Sequence, residues 1–183
     1  MGIIIDLIGS LIVRAAIVAI ILNLMINLHE ALYEDVERVS LSENITGVAQ
    51  TVSADIKLAG YNASGSEAYK NIITALSNDI SFYADIDTNG TIDIIRYYLS
   101  NSTLKRSING TTTDVANNVS KYELTYYDSM GVSQIGYNLN GLKSIFVEII
   151  IQSQNSLTKA SPGTSDTVVM SAKWQQHFFP DNL

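Results

Sequence analysis

Cysteine is absent from all 183 residues. That excludes disulfides, thiolate metal sites and cysteine nucleophiles. Proline is nearly absent as well. Its two copies stand at Pro162 and Pro180, so no proline-driven break is expected in the N-terminal helix described below. Histidine is limited to His29 and His177, far apart and without ligand spacing around either. Basic residues are few: 11 Lys and Arg against 18 Asp and Glu give a formal charge of -7. Nucleic acid needs a basic footprint, so it is not an expected partner. No Ser/His/Asp set, phosphate loop or paired-acid constellation is evident. The chain is not expected to be an enzyme.

Polar residues are scarcest at the N-terminus. Residues 3–28 form an apolar run interrupted by Asp6, Arg14, Asn23 and Asn27. Beyond it an amphipathic stripe continues through Leu32, Val36, Val39, Ile45, Val48, Val52 and Ile56. The pattern predicts one helix of roughly 55 residues, about 80 Å long at ~1.5 Å per residue. Its first half is apolar all round and must be buried in lipid or in other helices; its second half has one apolar face. It is not an ordinary secretory signal, because it lacks a basic start, runs too long and has no small-residue cleavage site after it. Gly60 suits a left-handed stop near Ala59.

The remaining chain reads as one head of ordinary size. Residues 67–77 suggest a short helix, with Ile72, Ile73 and Leu76 on one side. Residues 80–84, 91–99 and 103–108 alternate as strands, with tight turns at 87–90 and around Ser100 and Asn101. Residues 109–118 read as a polar connection, with a helical turn at 114–119. Residues 122–127, 142–152 and 167–178 are further strands, and 157–166 a loop. The expected class is α+β: a long N-terminal helix packed on an antiparallel β-sheet head. The division is residues 1–28 as membrane or filament-core helix, and 29–183 as a head that includes the rest of the helix.

Several motifs resemble the W-type minor pilins of type IV pili and the J-type minor pseudopilins of type II secretion. Asp55-Ile-Lys-Leu-Ala-Gly-Tyr-Asn62 is similar to the Asp-x-Arg-x-Ala-Gly-Tyr that ends their long helix. Ile94-Ile-Arg-Tyr-Tyr-Leu99 followed by Thr103-Leu-Lys-Arg106 resembles their Tyr-Tyr-Leu and Thr-Leu-x-Arg hairpin. Val115-Ala-Asn-Asn-Val119, with Leu124-Thr-Tyr-Tyr-Asp128 and Gly131, resembles their Leu-Ala-x-x-Val and Tyr-Tyr-Asp-x-x-Gly. Pro180-Asp-Asn-Leu183 resembles their terminal Pro-Arg-Asn-Leu. The family's basic leader has no counterpart, and counted from Met1 Asp6 stands one place later than its fifth-position Glu. The resemblance implies a subunit that waits in the cytoplasmic membrane and then polymerises into an extracellular cell-surface filament. Its implied partners are further copies of itself, other pilins and an assembly platform in the membrane. The competing expectation is a monomeric membrane-anchored extracellular binding or sensor domain.

Three sets of site residues follow. Asp6 and Arg14 are ionised groups in the apolar run, about 12 Å apart along one helix at ~1.5 Å per residue, too far to pair within it. They are assembly candidates, with Asp6 meeting a neighbour's terminal amine or a neighbour's Arg14. Asp85, Asp87, Asn89, Asp93 and the Thr91 carbonyl follow the first half of a calcium loop, with Gly90 at the turn and Arg96 where a bidentate acid would stand. The favoured reading of the same residues is an Asp/Asn/Gly hairpin turn between two strands, with the calcium loop as the alternative. No other cofactor is implied. Asn44, Asn62, Asn89, Asn101, Asn109 and Asn118 head Asn-x-Ser/Thr sequons and are glycosylation candidates on an exported surface; turns rich in Asn, Ser and Thr would produce them too.

Overall fold

The computed structural model describes residues 2–62, 72–137, 142–154, 157–161 and 164–181. The first element is α1 (Gly2–Lys57), a single helix of 56 residues, close to the expected length. The chain divides into two units, Met1–Val39 and Ser40–Leu183, and α1 runs through both. The first unit is helix alone. The second holds the end of α1 and all the described strands.

Helix ends need partners for their last carbonyls. Here Leu58 N–H donates to Asp55 O and Ala59 N–H to Ile56 O, at 3.0 and 3.1 Å. Gly60 then takes the left-handed φ of 79° that a side chain would resist, and its N–H reaches Tyr83 O at 2.8 Å. The stop foreseen at Gly60 is therefore also the point where the chain docks on its first sheet.

The strands are β1 (Ile72–Leu76), β2 (Asp79–Ala84), β3 (Asp93–Ser100), β4 (Thr103–Ile108), β5 (Thr111–Ala116), β6 (Val119–Asp128), β7 (Ser133–Gln134), β8 (Gly136–Tyr137), β9 (Leu142–Gln152), β10 (Leu157–Ser161), β11 (Thr164–Val168) and β12 (Ser171–Phe178). They form a six-stranded sheet, β5-β4-β3-β2-β1-β8, a four-stranded sheet, β12-β9-β6-β7, and the β10-β11 pair. Every pairing described is antiparallel. The fold class is α+β, as the sequence suggests. A long N-terminal apolar helix packed on antiparallel sheet is a pilin-like architecture.

In the second unit the buried stripe of α1 runs Leu41, Ile45, Val48, Val52 and Ile56, at helical spacing. It closes over Phe82, Ile95, Tyr97, Leu104, Leu124 and Tyr126 and the odd-numbered apolar face of β9: Ile145, Val147, Ile149 and Ile151. β9 matches its predicted bounds because alternation over eleven residues fixes both period and register.

Four expectations need correction. The stripe does not extend to Leu32, Val36 and Val39, which are 56%, 67% and 57% exposed. Residues 72–76 form β1, not a helix, because they pair with β2 from Ile72↔Phe82 to Leu76↔Asp79, and Ser77 begins the turn between them; residues 67–71 of the expected helix lie outside the described residues. Residues 111–116 form β5, an edge strand, where a polar connection and a helical turn were expected. Residues 157–161 and 164–168 pair as a hairpin in place of a loop, so the last strand starts at Ser171, not at Thr167.

Candidate functional site

The first candidate is the surface of α1 in the first unit. Every described large apolar side chain between residues 4 and 28 is at least half exposed, fifteen in all, from Ile21 at 50% to Leu7 at 72%. A soluble monomer seldom shows a contiguous apolar patch above ~600 Å². Fifteen large aliphatic side chains at this exposure exceed that limit. The stretch is long and apolar enough to cross a membrane, with a mean hydropathy of 2.3 in its most apolar window. Asn23 turns its amide back onto Ala19 O at 3.1 Å, so that polar group adds little to the face. Asp6 and Arg14 are both exposed on this helix.

The second feature lies where α1 ends. Asp55, 6% exposed, accepts two bonds from Arg106, Nε at 2.6 Å and Nη2 at 2.9 Å, and a third from the Tyr97 hydroxyl at 2.6 Å. Burial works against the Arg106 charge, but the carboxylate outweighs it and raises the guanidinium pKa. Burial, then the charge of Asp55, pushes the Tyr97 hydroxyl far above its ordinary range, so it stays a donor. This bidentate pair ties the last turn of α1 to β3 and β4. The three residues come from two of the quoted motifs: the helix-ending Asp55 segment, and the hairpin that holds the Tyr97-Tyr98 pair and the Thr103-to-Arg106 segment. A buried acid near a helix end and a basic residue on an inward strand position were the available signal.

No match to this chain emerges from comparison with protein-family models or with curated proteins. Function therefore rests on the sites themselves.

The third site is the acidic turn between β2 and β3. Asp85 is 1% exposed and Asp93 8%, and with Asp87 they bring one carboxylate oxygen each within 4.8 Å of the others. Asp85 accepts from Asn62 Nδ2 at 3.0 Å, from Gly90 N–H at 3.0 Å and from Asn89 N–H at 3.1 Å. The Asn62 amide is the main influence lowering its pKa; burial opposes it, and the Gly90 and Asn89 amides assist. Asp93 accepts from Asn109 Nδ2 at 2.6 Å. The structure thus gathers three of the four side chains expected around a calcium ion. The fourth, Asn89, is engaged within the turn: its Oδ1 accepts Thr91 N–H at 2.6 Å and its amide donates to Asp87 at 2.7 Å. Both readings of the sequence meet here, since a hairpin turn and a hard-oxygen cluster occupy the same residues.

Four of the six sequon asparagines occupy positions that suit Asn by backbone conformation. Asn62, Asn101, Asn109 and Asn118 all have positive φ, between 48° and 57°, where Asn is tolerated better than most residues. Asn62, Asn89 and Asn109 also commit their side-chain amides to the acidic turn. Asn44 and Asn101 are exposed on α1 and in the β3–β4 turn.

The tyrosine pairs divide as strand alternation requires. Tyr97 and Tyr126 are buried, Tyr126 donating to Leu76 O at 2.8 Å, while Arg96 lies 4.5 Å over the Tyr98 ring. His177 stands 2.8 Å from Ser144 Oγ among Tyr127, Phe146 and Phe179.

Proposed function

We propose that this chain is the structural subunit of an extracellular type IV pilus-like filament, polymerising through residues 3–28 of α1. One observation carries the reading: fifteen exposed aliphatic side chains sit on the same helix whose other end is bolted into a folded head by Asp55, Arg106 and Tyr97. Before assembly the apolar face is covered by the lipid of the cytoplasmic membrane; in the filament it is covered by the same face of other copies. Lipid is as apolar as the neighbouring helices, so close packing and the few polar groups decide the final arrangement. The head forms the surface of the polymer, with other pilins and a membrane platform as partners.

Electron microscopy of surface filaments from cells producing the chain, with mass spectrometry of their subunit, tests the proposal. Filaments containing the chain are expected. A chain that stays monomeric in the membrane under all conditions would leave the anchored binding-domain reading instead. That alternative has one feature of its own, a cleft of about 620 Å³ beside Trp174, lined by Ala49, Ser53, Lys57, Lys173 and Gln176.

A further inference from the structure

The four-stranded sheet ends on β12. Ser153 N–H donates to Met170 O at 2.8 Å, and the register with β9 then runs unbroken from Ser171↔Gln152 to Phe178↔Ile145. Antiparallel bonding alternates along a strand. Ala172, Trp174, Gln176 and Phe178 therefore direct their backbone groups at β9, while Ser171, Lys173, Gln175 and His177 aim theirs away from the sheet. No described strand takes these up. Open edges are usually blunted by proline, a bulge or a charge. β12 has neither proline nor bulge. Its one lysine is drawn off the edge, because Glu148 on β9 holds the Lys173 ammonium.

The cleft of about 620 Å³ lies along this edge. Its other wall is α1, where Ile45, Ala49, Ser53 and Lys57 recur every four residues and form a row along the helix. That row is about 18 Å long at ~1.5 Å per residue, and the free edge from Ser171 to His177 is about 20 Å long at ~3.3 Å per residue. Half-buried Trp174 supplies apolar surface between the walls. Among the described residues no Asp or Glu lines the cleft, although the chain carries 18 of them against 11 Lys and Arg. Lys57 ends the row, exposed and with no ion-pair partner among the described residues.

We propose that an extended segment of a partner protein, roughly six residues long and carrying a carboxylate, adds to β12 as a further strand in this cleft. Its backbone pairs with the outward groups of Ser171, Lys173, Gln175 and His177. Alternate side chains lie against Ala49 and Trp174, and the carboxylate meets Lys57. A row of N–H and C=O groups at strand spacing is matched by another backbone and not by a glycan. The site belongs wholly to the head, so it stands whether residues 3–28 are covered by lipid or by other copies.

Trp174 is the only tryptophan, and its emission reads the cleft directly. The full chain in detergent is titrated with acetylated, amidated hexapeptides of alternating Val and Thr, with one Asp moved through each position in turn. At least one member is expected to shift the emission and to saturate below about 1 mM. Lys in place of its Asp should weaken binding at least tenfold, and K57E should reverse that preference. Methylating alternate backbone nitrogens should abolish binding in one phase only, since one edge of the peptide faces β12. Q175P removes an outward N–H that β9 does not use, so the head should stay folded while affinity falls at least tenfold. Should Q175P fail to fold, the two methylated peptides decide alone. No emission change with any member would overturn the proposal, and so would binding that both methylation phases leave intact. Trigalacturonate shifting the emission where no peptide does would assign the cleft to an acidic glycan instead. A concentration-dependent dimer that Q175P dissociates would give the edge to a second copy of the chain.

Discussion

The two parts of α1 use similar residues to opposite ends. In the first unit Val36 is 67% exposed and Leu32 56%; in the second Val52 is fully buried and Leu41 is 7% exposed. The more apolar part is the one left uncovered. Hydrophobicity sets the demand for burial, but a partner surface supplies it, and the chain supplies that surface beyond Ser40. The second part buries one face against its own sheets. The first is apolar all round over residues 3–28, so no single face could cover it; lipid or several other helices would.

The largest test of this comparison is a charge on the uncovered part. Ile17→Asp or Ile20→Asp is expected to abolish filaments while leaving the head folded, because an unpaired carboxylate in a helix bundle has no water and no partner. Filament counts by electron microscopy and head unfolding by circular dichroism read the two effects separately. Normal filaments from either variant would break the assignment of this surface.

On the covered part the largest effect belongs to Asp55. Asp55→Ala leaves the Arg106 guanidinium without its carboxylate and the Tyr97 hydroxyl without its acceptor, and should cost about 3–5 kcal/mol of head stability. Urea unfolding of the full chain in detergent, followed by Trp174 fluorescence, measures it. A loss below about 1 kcal/mol would reduce the contact to a surface pair.

Paired truncations sharpen the contrast. Ile56→Ala should destabilise the head by roughly 2–5 kcal/mol, since the side chain is fully buried in the core. Val36→Ala should stay within about 0.5 kcal/mol in the same assay. Equal effects would mean that the boundary between the parts lies elsewhere.

A smaller effect, of opposite sign, is expected inside the head. The Tyr122 hydroxyl is buried without a hydrogen-bond partner among the described residues, and burial pushes its pKa well above the ordinary value. Removing a polar atom that is desolvated but unpaired should not weaken the fold. Tyr122→Phe is expected to be neutral or to stabilise by up to about 1 kcal/mol. Marked destabilisation would reveal a partner for that hydroxyl.

Legibility in the sequence followed the length of the signal. The 56-residue helix and β9 carry enough turns or alternations to fix type and bounds. β1 does not: over five residues, Ile72, Ile73 and Leu76 fit a helix face as well as a strand, and the pairing with β2 decides. β5 hides for another reason. Four of its six residues are exposed, so no apolar alternation marks it. Its legible sign was the turn before it: Asn109 and Gly110 both have positive φ, the two-residue hairpin geometry that Asn-Gly favours. The Asp55 contact joins positions 42 and 51 residues apart, which no local pattern encodes. Asp6 and Arg14 were legible because charge in an apolar run stands out without any tertiary information.

The smallest expected effect concerns the acidic turn, where the head is held by neither apolar burial nor a buried ion pair. Asp85, Asp87 and Asp93 converge, yet amides of Asn62, Asn89, Gly90 and Asn109 already satisfy much of their demand. A calcium ion there would lack a bidentate acid at the twelfth position, which places its affinity near ~10⁻³ M, the weak end of extracellular sites. At 1 mM calcium, mass action then gives about 0.4 kcal/mol, a rise of roughly 1 °C in Tm. Acid works in the opposite direction. The Asp85 pKa is lowered on folding, so its contribution is complete above its unfolded value of 3.8 and is lost as pH falls through the folded value. Asp85→Asn should therefore flatten the acid limb of the stability profile and abolish the calcium response together. Equal midpoints with calcium and with chelator would leave the turn held by its own amides alone.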